Sequence, residues 1–354
     1  MTYRVVAWST GNVGRHALAG IDARPDLELV GVWVSNPDKV GRDAGELAGL
    51  GRTLGVKATG SIDEVIALAP DCVVHTAMAD HRLFEALGDL ERLLRAGIDV
   101  VSSGPVFLQY PSGDAVGMAE GVRAAALAGG SSLFVNGIDP GFANDWLALS
   151  VTGISERIEQ VRCMEILNYA TYDQPMILFD VMGLGRPMDE VPMLLQPGIL
   201  TMAWGSVVHQ LAAGLGVELD GVEEWYERLP AVEPFEIASG RIEAGTVAGL
   251  HFEVRGMRAG VAVVVLEHVT RLHDDIGPDW PQPAGAGCYR VVVRGEPNYT
   301  VDLVLLGTDG DHNTAGLKAT AMRLVNAIPA VVAAPPGLLT ALDLPLVTGR
   351  GLVV

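Results

Sequence analysis

Tyr3-Arg4-Val5-Val6-Ala7-Trp8-Ser9-Thr10-Gly11-Asn12-Val13-Gly14 decides the fold of this chain. A short apolar strand enters a glycine turn, and Arg15 to Ile21 continues as a helix. That order suits a dinucleotide pyrophosphate. Gly11 lets the backbone approach the phosphates, the helix N-terminus offers free N–H groups, and Gly14 lets helix and strand pack closely. Ser9 stands where the first glycine of the usual G-x-G-x-x-G falls. Ser9, Thr10, Gly11, Asn12 and Val13 are therefore the candidate phosphate contacts.

Downstream, strand and helix signals alternate. Leu27 to Val34, Asp71 to Thr76, Asp99 to Ser102 and Ser132 to Asn136 read as strands. Ser61 to Leu68, His81 to Ala96 and Gly113 to Ala128 read as helices. Alternation of this kind predicts a doubly wound parallel sheet with its ligand beyond the carboxyl ends of the strands. After Pro140-Gly141 the period changes. Ile158 to Leu167, Gly249 to Val254, Val261 to Arg271, Tyr289 to Arg294 and Thr300 to Leu306 are strand-like and predict an open, largely antiparallel sheet. Helices are expected at Met202 to Leu215, Gly221 to Arg228 and Thr314 to Ala327, the last stopping before Ile328-Pro329. The expected fold class is α/β: a dinucleotide-binding domain over 1–140, an α+β substrate and dimerisation domain over 141–308, and a helix and tail over 309–354 returning to the first domain.

At the end of the second strand, Ser35-Asn36-Pro37-Asp38-Lys39 replaces the acidic ribose ligand of NAD-specific folds. Ser35, Asn36 and Lys39 favour a 2′-phosphate, so NADP(H) is expected, with NAD(H) as second choice. His75-Thr76-Ala77 and Ser102-Ser103-Gly104 end the next strands and are expected beside the pyrophosphate and nicotinamide ribose. Of the 354 residues 49% are hydrophobic and 19% charged, with a formal charge of −19 and lysine only at Lys39, Lys57 and Lys318. That balance argues against nucleic acid and anionic membrane as partners. Cys72, Cys163 and Cys288 are widely spaced, so neither a metal site nor a disulfide framework is expected, and a cytoplasmic setting is.

Three motifs carry a resemblance that covers essentially the whole chain. Asn36 to Glu46, Gly137-Ile138-Asp139-Pro140-Gly141-Phe142 and Leu324-Val325-Asn326-Ala327-Ile328-Pro329 resemble the dihydrodipicolinate reductase-like superfamily, and within it 2,4-diaminopentanoate dehydrogenase and the native amine dehydrogenases. The resemblance implies an N-terminal Rossmann domain, a dimer built on the open sheet of the second domain, and hydride transfer to an imine formed from ketone and ammonia. On geometric grounds the helix ending at Asn326 is expected to close the cofactor side.

Two departures bear on chemistry. The His-His-x-x-Lys signature of the reductase is replaced by Glu165-Ile166-Leu167-Asn168-Tyr169-Ala170-Thr171-Tyr172. The glutamate that amine dehydrogenases carry after the Ser102-Ser103 position is missing, with no carboxylate before Asp114. Proton transfer is then expected from Tyr172 or Tyr169, from His268 or from water, with Asn168 orienting the reacting atom. Strand alternation places Glu267 and His268 on opposite faces. Asp139 reads as a turn cap, and Met188, Met193, Met202 and Trp204 as core. The expected function is NAD(P)H-dependent reduction of a C=N or C=O bond of a small, rather apolar substrate, by a homodimer of this chain. The alternative is a cofactor-binding regulator without turnover.

Overall fold

The computed structural model describes residues 2–79, 82–113 and 115–353; His81, the expected helix start, and Asp114 lie outside them. The chain forms two compact units, Met1–Ile138 with Leu317–Val354, and Asp139–Gly316.

In the first unit β1 (Tyr3–Trp8) leads into α1 (Asn12–Asp22), followed by β2 (Leu27–Trp33), α2 (Ala44–Leu47), β3 (Ala58–Thr59), α3 (Ile62–Ala67), β4 (Cys72–His75), α4 (Leu83–Arg95), β5 (Asp99–Ser102), α5 (Ala115–Gly129) and β6 (Ser132–Val135). These strands and the late strand Gly337–Leu339 form one parallel sheet, with Gly337–Leu339 beside β6, then β5, β4, β1, β2 and β3. Successive side chains of β1 feed two cores: Val5 and Ala7 join one, Val6 and Trp8 the other.

The second unit contains α6 (Trp146–Thr152), β7 (Arg157–Asn168), α7 (Ile199–Gly214), β8 (Gly221–Pro230), the hairpin β9 (Phe235–Ile237) and β10 (Gly240–Ile242), β11 (Val247–Arg258), β12 (Val261–Arg271), β13 (Gly287–Glu296) and β14 (Tyr299–Leu303). Its main sheet runs β14-β13-β7-β12-β11-β8. All neighbours are antiparallel except β7 and β12. Val207, Val208 and Leu211 of α7 are fully buried with Leu250, Val254 and Leu266 of the sheet. Burial of each such side chain contributes about 1.5–3 kcal/mol.

Three expectations are corrected. Gly221 to Arg228 is a strand, because its Trp225-Tyr226 pair prefers a pleated surface and its backbone pairs with β11 over the full length. The last helix, α8 (His312–Val332), runs through Pro329 instead of stopping before it. Leu324, Val325, Ala327, Ile328 and Val331 continue one buried face across the proline, and that burial outweighs one missing N–H. Met193 and Met202 are exposed at 45% and 39%, not core.

Candidate active site

In the first unit the phosphate turn is preformed. Gly11 caps α1 without a side-chain hydrogen bond, so a ligand's oxygens can approach the N-terminus of the helix. A Cβ on Gly14 would lie 2.3 Å from the Ser9 carbonyl oxygen, so only glycine permits this approach of helix to strand. Ser9 adopts φ 92°, the left-handed region that the missing glycine of the motif would enter freely. Lys39 Nζ donates to Thr10 Oγ1 at 3.0 Å, which sets its charge against the phosphate turn. Asn36 Oδ1 accepts from the Asp38 amide at 2.9 Å and caps the short turn Pro37–Lys39. Ser35 is exposed. These residues fit a dinucleotide; when bound, its nicotinamide supplies or accepts a hydride.

The other expected cofactor residues are more engaged. His75 Nδ1 lies 3.0 Å from Ser102 Oγ, and that hydroxyl donates to the Gly104 carbonyl at 2.5 Å. Burial, then the Arg82 charge, holds His75 down at about 4, so it is neutral and donates to Ser102. Thr76 Oγ1 donates to the Trp8 carbonyl at 3.1 Å, and the Ser103 amide to the His75 carbonyl at 3.0 Å. Together they tie β1, β4 and β5 at their carboxyl ends, where Ala77 also lies. Asn326 is placed elsewhere: its Oδ1 accepts from Arg24 at 2.8 Å, beyond the C-terminal end of α1 and away from the phosphate turn.

In the second unit a buried ionic cluster surrounds His268. Its Nε2 lies 3.2 Å from Asp139 Oδ1 and its Nδ1 3.5 Å from Glu165 Oε1. Side-chain exposure of all three is 6% or less. Burial opposes a charge on the ring, but the two carboxylates outweigh it and push His268 up to about 10. The imidazolium stacks on Phe252, with ring centroids 4.7 Å apart, and meets Trp204 edge-on at the same distance. Trp204 Nε1 donates to Asp139 Oδ1 at 3.1 Å. Tyr169 donates to Glu165 Oε1 at 2.5 Å, and Tyr289 stands directly opposite Glu165 where β13 pairs with β7. Burial, then the Glu165 charge, pushes both phenols well above their ordinary range, so both stay protonated. Two carboxylates around one imidazolium leave one net negative charge. The donor atoms of Asp139, Glu165 and His268 lie within 4.8 Å of one another, but a protonated imidazole has no lone pair for a metal.

Of the three side chains expected to do chemistry, His268 sits inside this cluster. Tyr172 lies at its margin, its ring 4.9 Å from that of Tyr169. Asn168 is outside it: its amide donates to Asp274 at 2.6 Å, and its carbonyl accepts from His312 and Asn313. Asp139, read as a turn cap, and Trp204, read as core, belong to the cluster instead. Glu165 was visible only as a departure from the reductase signature. The signal available was its place on the strand face shared with Val161 and Cys163, a lone carboxylate in an apolar stripe.

Glu267 faces the other way, as alternation requires. It pairs with Arg162 and accepts from His251 at 2.9 Å, while Arg162 also reaches Glu253 at 2.6 Å.

The profile of the 2,4-diaminopentanoate dehydrogenase C-terminal domain matches residues 142–350, and that of the dihydrodipicolinate reductase N-terminus residues 5–84. The chain is 45% identical over 346 residues to an amine dehydrogenase of Streptomyces virginiae, covering 96% of each. It is 24% identical to a 2,4-diaminopentanoate dehydrogenase of Acetoanaerobium sticklandii, covering 81% of this chain and 80% of that one. The solved amine dehydrogenase of Mycobacterium smegmatis shares the fold, with TM-score 0.80 and 23% identity over 99% of this chain and 98% of that one.

Proposed function

This chain belongs to the family of amine dehydrogenase and 2,4-diaminopentanoate dehydrogenase, nicotinamide-dependent oxidoreductases, and from that premise we propose that it interconverts a small, rather apolar primary amine with its ketone and ammonia, preferring NADP(H). The observation that carries this reading is the Asp139–His268–Glu165 cluster. Its single net negative charge complements an iminium cation, whereas the alkoxide of carbonyl reduction would meet two carboxylates. A proton-accepting carboxylate is also what amination needs, and the position after Ser103 does not offer one. Glu165 supports a proton acceptor at another place, on β7, and so speaks for amination over carbonyl reduction or a regulator without turnover.

Lys39 beside Thr10, with Ser35 in place of an acidic residue, supports the 2′-phosphate preference. The face of the second sheet that bears Arg162, Glu253 and Glu267 supports a homodimer, since α7 and its core lie on the opposite face. No helix among the described residues is long and apolar enough to cross a membrane. Cys72, Cys163 and Cys288 are free thiols, which suits a reducing cytoplasm.

The test is NADPH oxidation with a panel of apolar ketones, with and without ammonium chloride. Turnover that requires ammonium is expected. Ketone-dependent oxidation that ignores ammonium refutes amination in favour of carbonyl reduction.

A further inference from the structure

We propose that Glu165 takes up and returns the proton of the substrate nitrogen, with Tyr169 and Tyr289 as positioning residues that hold its carboxylate. This rests on the amine dehydrogenase reading above and adds a role for particular atoms within it.

The two carboxylates of the cluster differ in what surrounds them. Asp139 accepts from the Trp204 indole at 3.1 Å and faces His268 Nε2 at 3.2 Å. An indole N–H and an imidazolium N–H only donate, so these partners require Asp139 to remain an acceptor. Both donors meet the same oxygen, Oδ1, and neither can turn to accept, as a hydroxyl can. Glu165 accepts from the Tyr169 hydroxyl, has Tyr289 opposite it on β13, and makes a longer 3.5 Å contact with His268. A hydroxyl donates to a carboxylate and, after turning, accepts from a carboxylic acid. Glu165 therefore keeps its hydrogen bonds in both protonation states. Its strand, β7, lies inside the sheet between β12 and β13, which fixes the carboxylate in place.

In the oxidative direction a substrate ammonium, on a carbon that carries one hydrogen, passes one N–H proton to Glu165. The freed lone pair forms the C=N bond as the C–H hydride leaves, giving an iminium cation; a bound oxidised nicotinamide would be the hydride acceptor. Water converts the iminium to ketone and ammonium, and Glu165 releases its proton to solvent. The net change is one proton and one hydride removed from the substrate ammonium. Throughout, His268 stays cationic between the carboxylates, held by Phe252 and Trp204.

The groups facing Glu165 are His268 from β12, Tyr289 from β13, Tyr169 from the segment after β7, with Tyr172 against its ring, and Asp139 from the segment after β6. The test compares wild type with Glu165→Gln in two assays. One is amination of cyclohexanone with ammonium chloride and NADPH; the other is reduction of preformed 1-pyrroline, whose iminium needs no nitrogen deprotonation. Amination is expected to fall by about 100-fold or more, the usual reach of a lost proton-transfer group, and 1-pyrroline reduction, which loses the charge of Glu165 but no nitrogen deprotonation, to fall by at least about tenfold less. Amination within about fivefold of wild type, or an equal loss in both assays, overturns the assignment while leaving the amine dehydrogenase reading intact. A wild-type protein that neither aminates nor reduces 1-pyrroline overturns that reading, and this assignment with it.

Should Glu165→Gln fail to fold, Tyr169→Phe/Tyr289→Phe answers independently. Without its hydroxyl donors the carboxylate is no longer held in place. Cyclohexanone amination should then lose at least about tenfold in kcat, with KM for cyclohexanone within about twofold and 1-pyrroline reduction falling less. An unchanged kcat, or an equal loss in both assays, overturns the positioning role.

Discussion

Replacing His268 by glutamine tests the ionic cluster as a source of stability, separately from turnover. The substitution keeps a polar side chain but removes the one positive charge between Asp139 and Glu165. In the folded chain His268 is held at about 10 against an ordinary 6.5, a preference for the charged ring of roughly 5 kcal/mol at 1.36 kcal/mol per pH unit. The expected loss at pH 7 is therefore about 3–5 kcal/mol, the usual cost of leaving buried charge unpaired. Because the folded value lies above the unfolded one, the stabilisation is complete below pH 6.5 and disappears as pH rises through about 10. Urea unfolding of wild type and variant, repeated from pH 7 to pH 10, should show a gap that is widest at pH 7 and closes toward pH 10. A gap under about 1 kcal/mol at pH 7, or one that stays constant to pH 10, would refute a buried imidazolium.

Three further outcomes are expected. Gly14→Ala places a methyl 2.3 Å from the Ser9 carbonyl, so fluorescence titration should show NADPH binding weakened at least about tenfold; unchanged affinity would mean the turn yields freely. Lys39→Ala should weaken NADPH by about 1–2 kcal/mol while sparing NADH, since only the former brings a charge to lose; equal effects on both would place Lys39 away from the 2′-phosphate. Light scattering at micromolar concentration should report twice 37.3 kDa, and a 37.3 kDa species alone would leave the second sheet face without its partner.

The parallel sheet was legible in the sequence because each strand is short, apolar and bounded by turn residues. Asp99 to Ser102 falls at its expected limits, as does Val261 to Arg271 in the second sheet. Gly221 to Arg228 misled because Glu223, Glu224, Glu227 and Arg228 mimic the spacing of a solvated helix, and only pairing with β11 decides otherwise. The opposite faces of Glu267 and His268 follow from backbone alternation alone and needed no tertiary information. The cluster was less legible. Asp139, Glu165, Trp204 and His268 come from four separate segments, and nothing local to Asp139 distinguishes a turn cap from a carboxylate aimed at a histidine 129 positions later. Tyr169 and Tyr289 likewise meet only because β13 pairs with β7.

That strand alternation has a consequence for how the chain finds its register. β12 pairs in parallel with β7, with Val265 opposite Arg162, a contact closed late because so much chain separates its partners. In a valine-rich run such as Val263-Val264-Val265, apolar packing alone distinguishes neighbouring registers poorly. A slip of one residue would turn Glu267 into the pocket of Phe252 and Trp204, and His268 toward Arg162. Each misplaced group would then be buried against a partner of the wrong kind. The paired ionic residues on the two faces of β12 thus act as a two-sided alignment key. They penalise misregistered intermediates as well as stabilising the finished sheet.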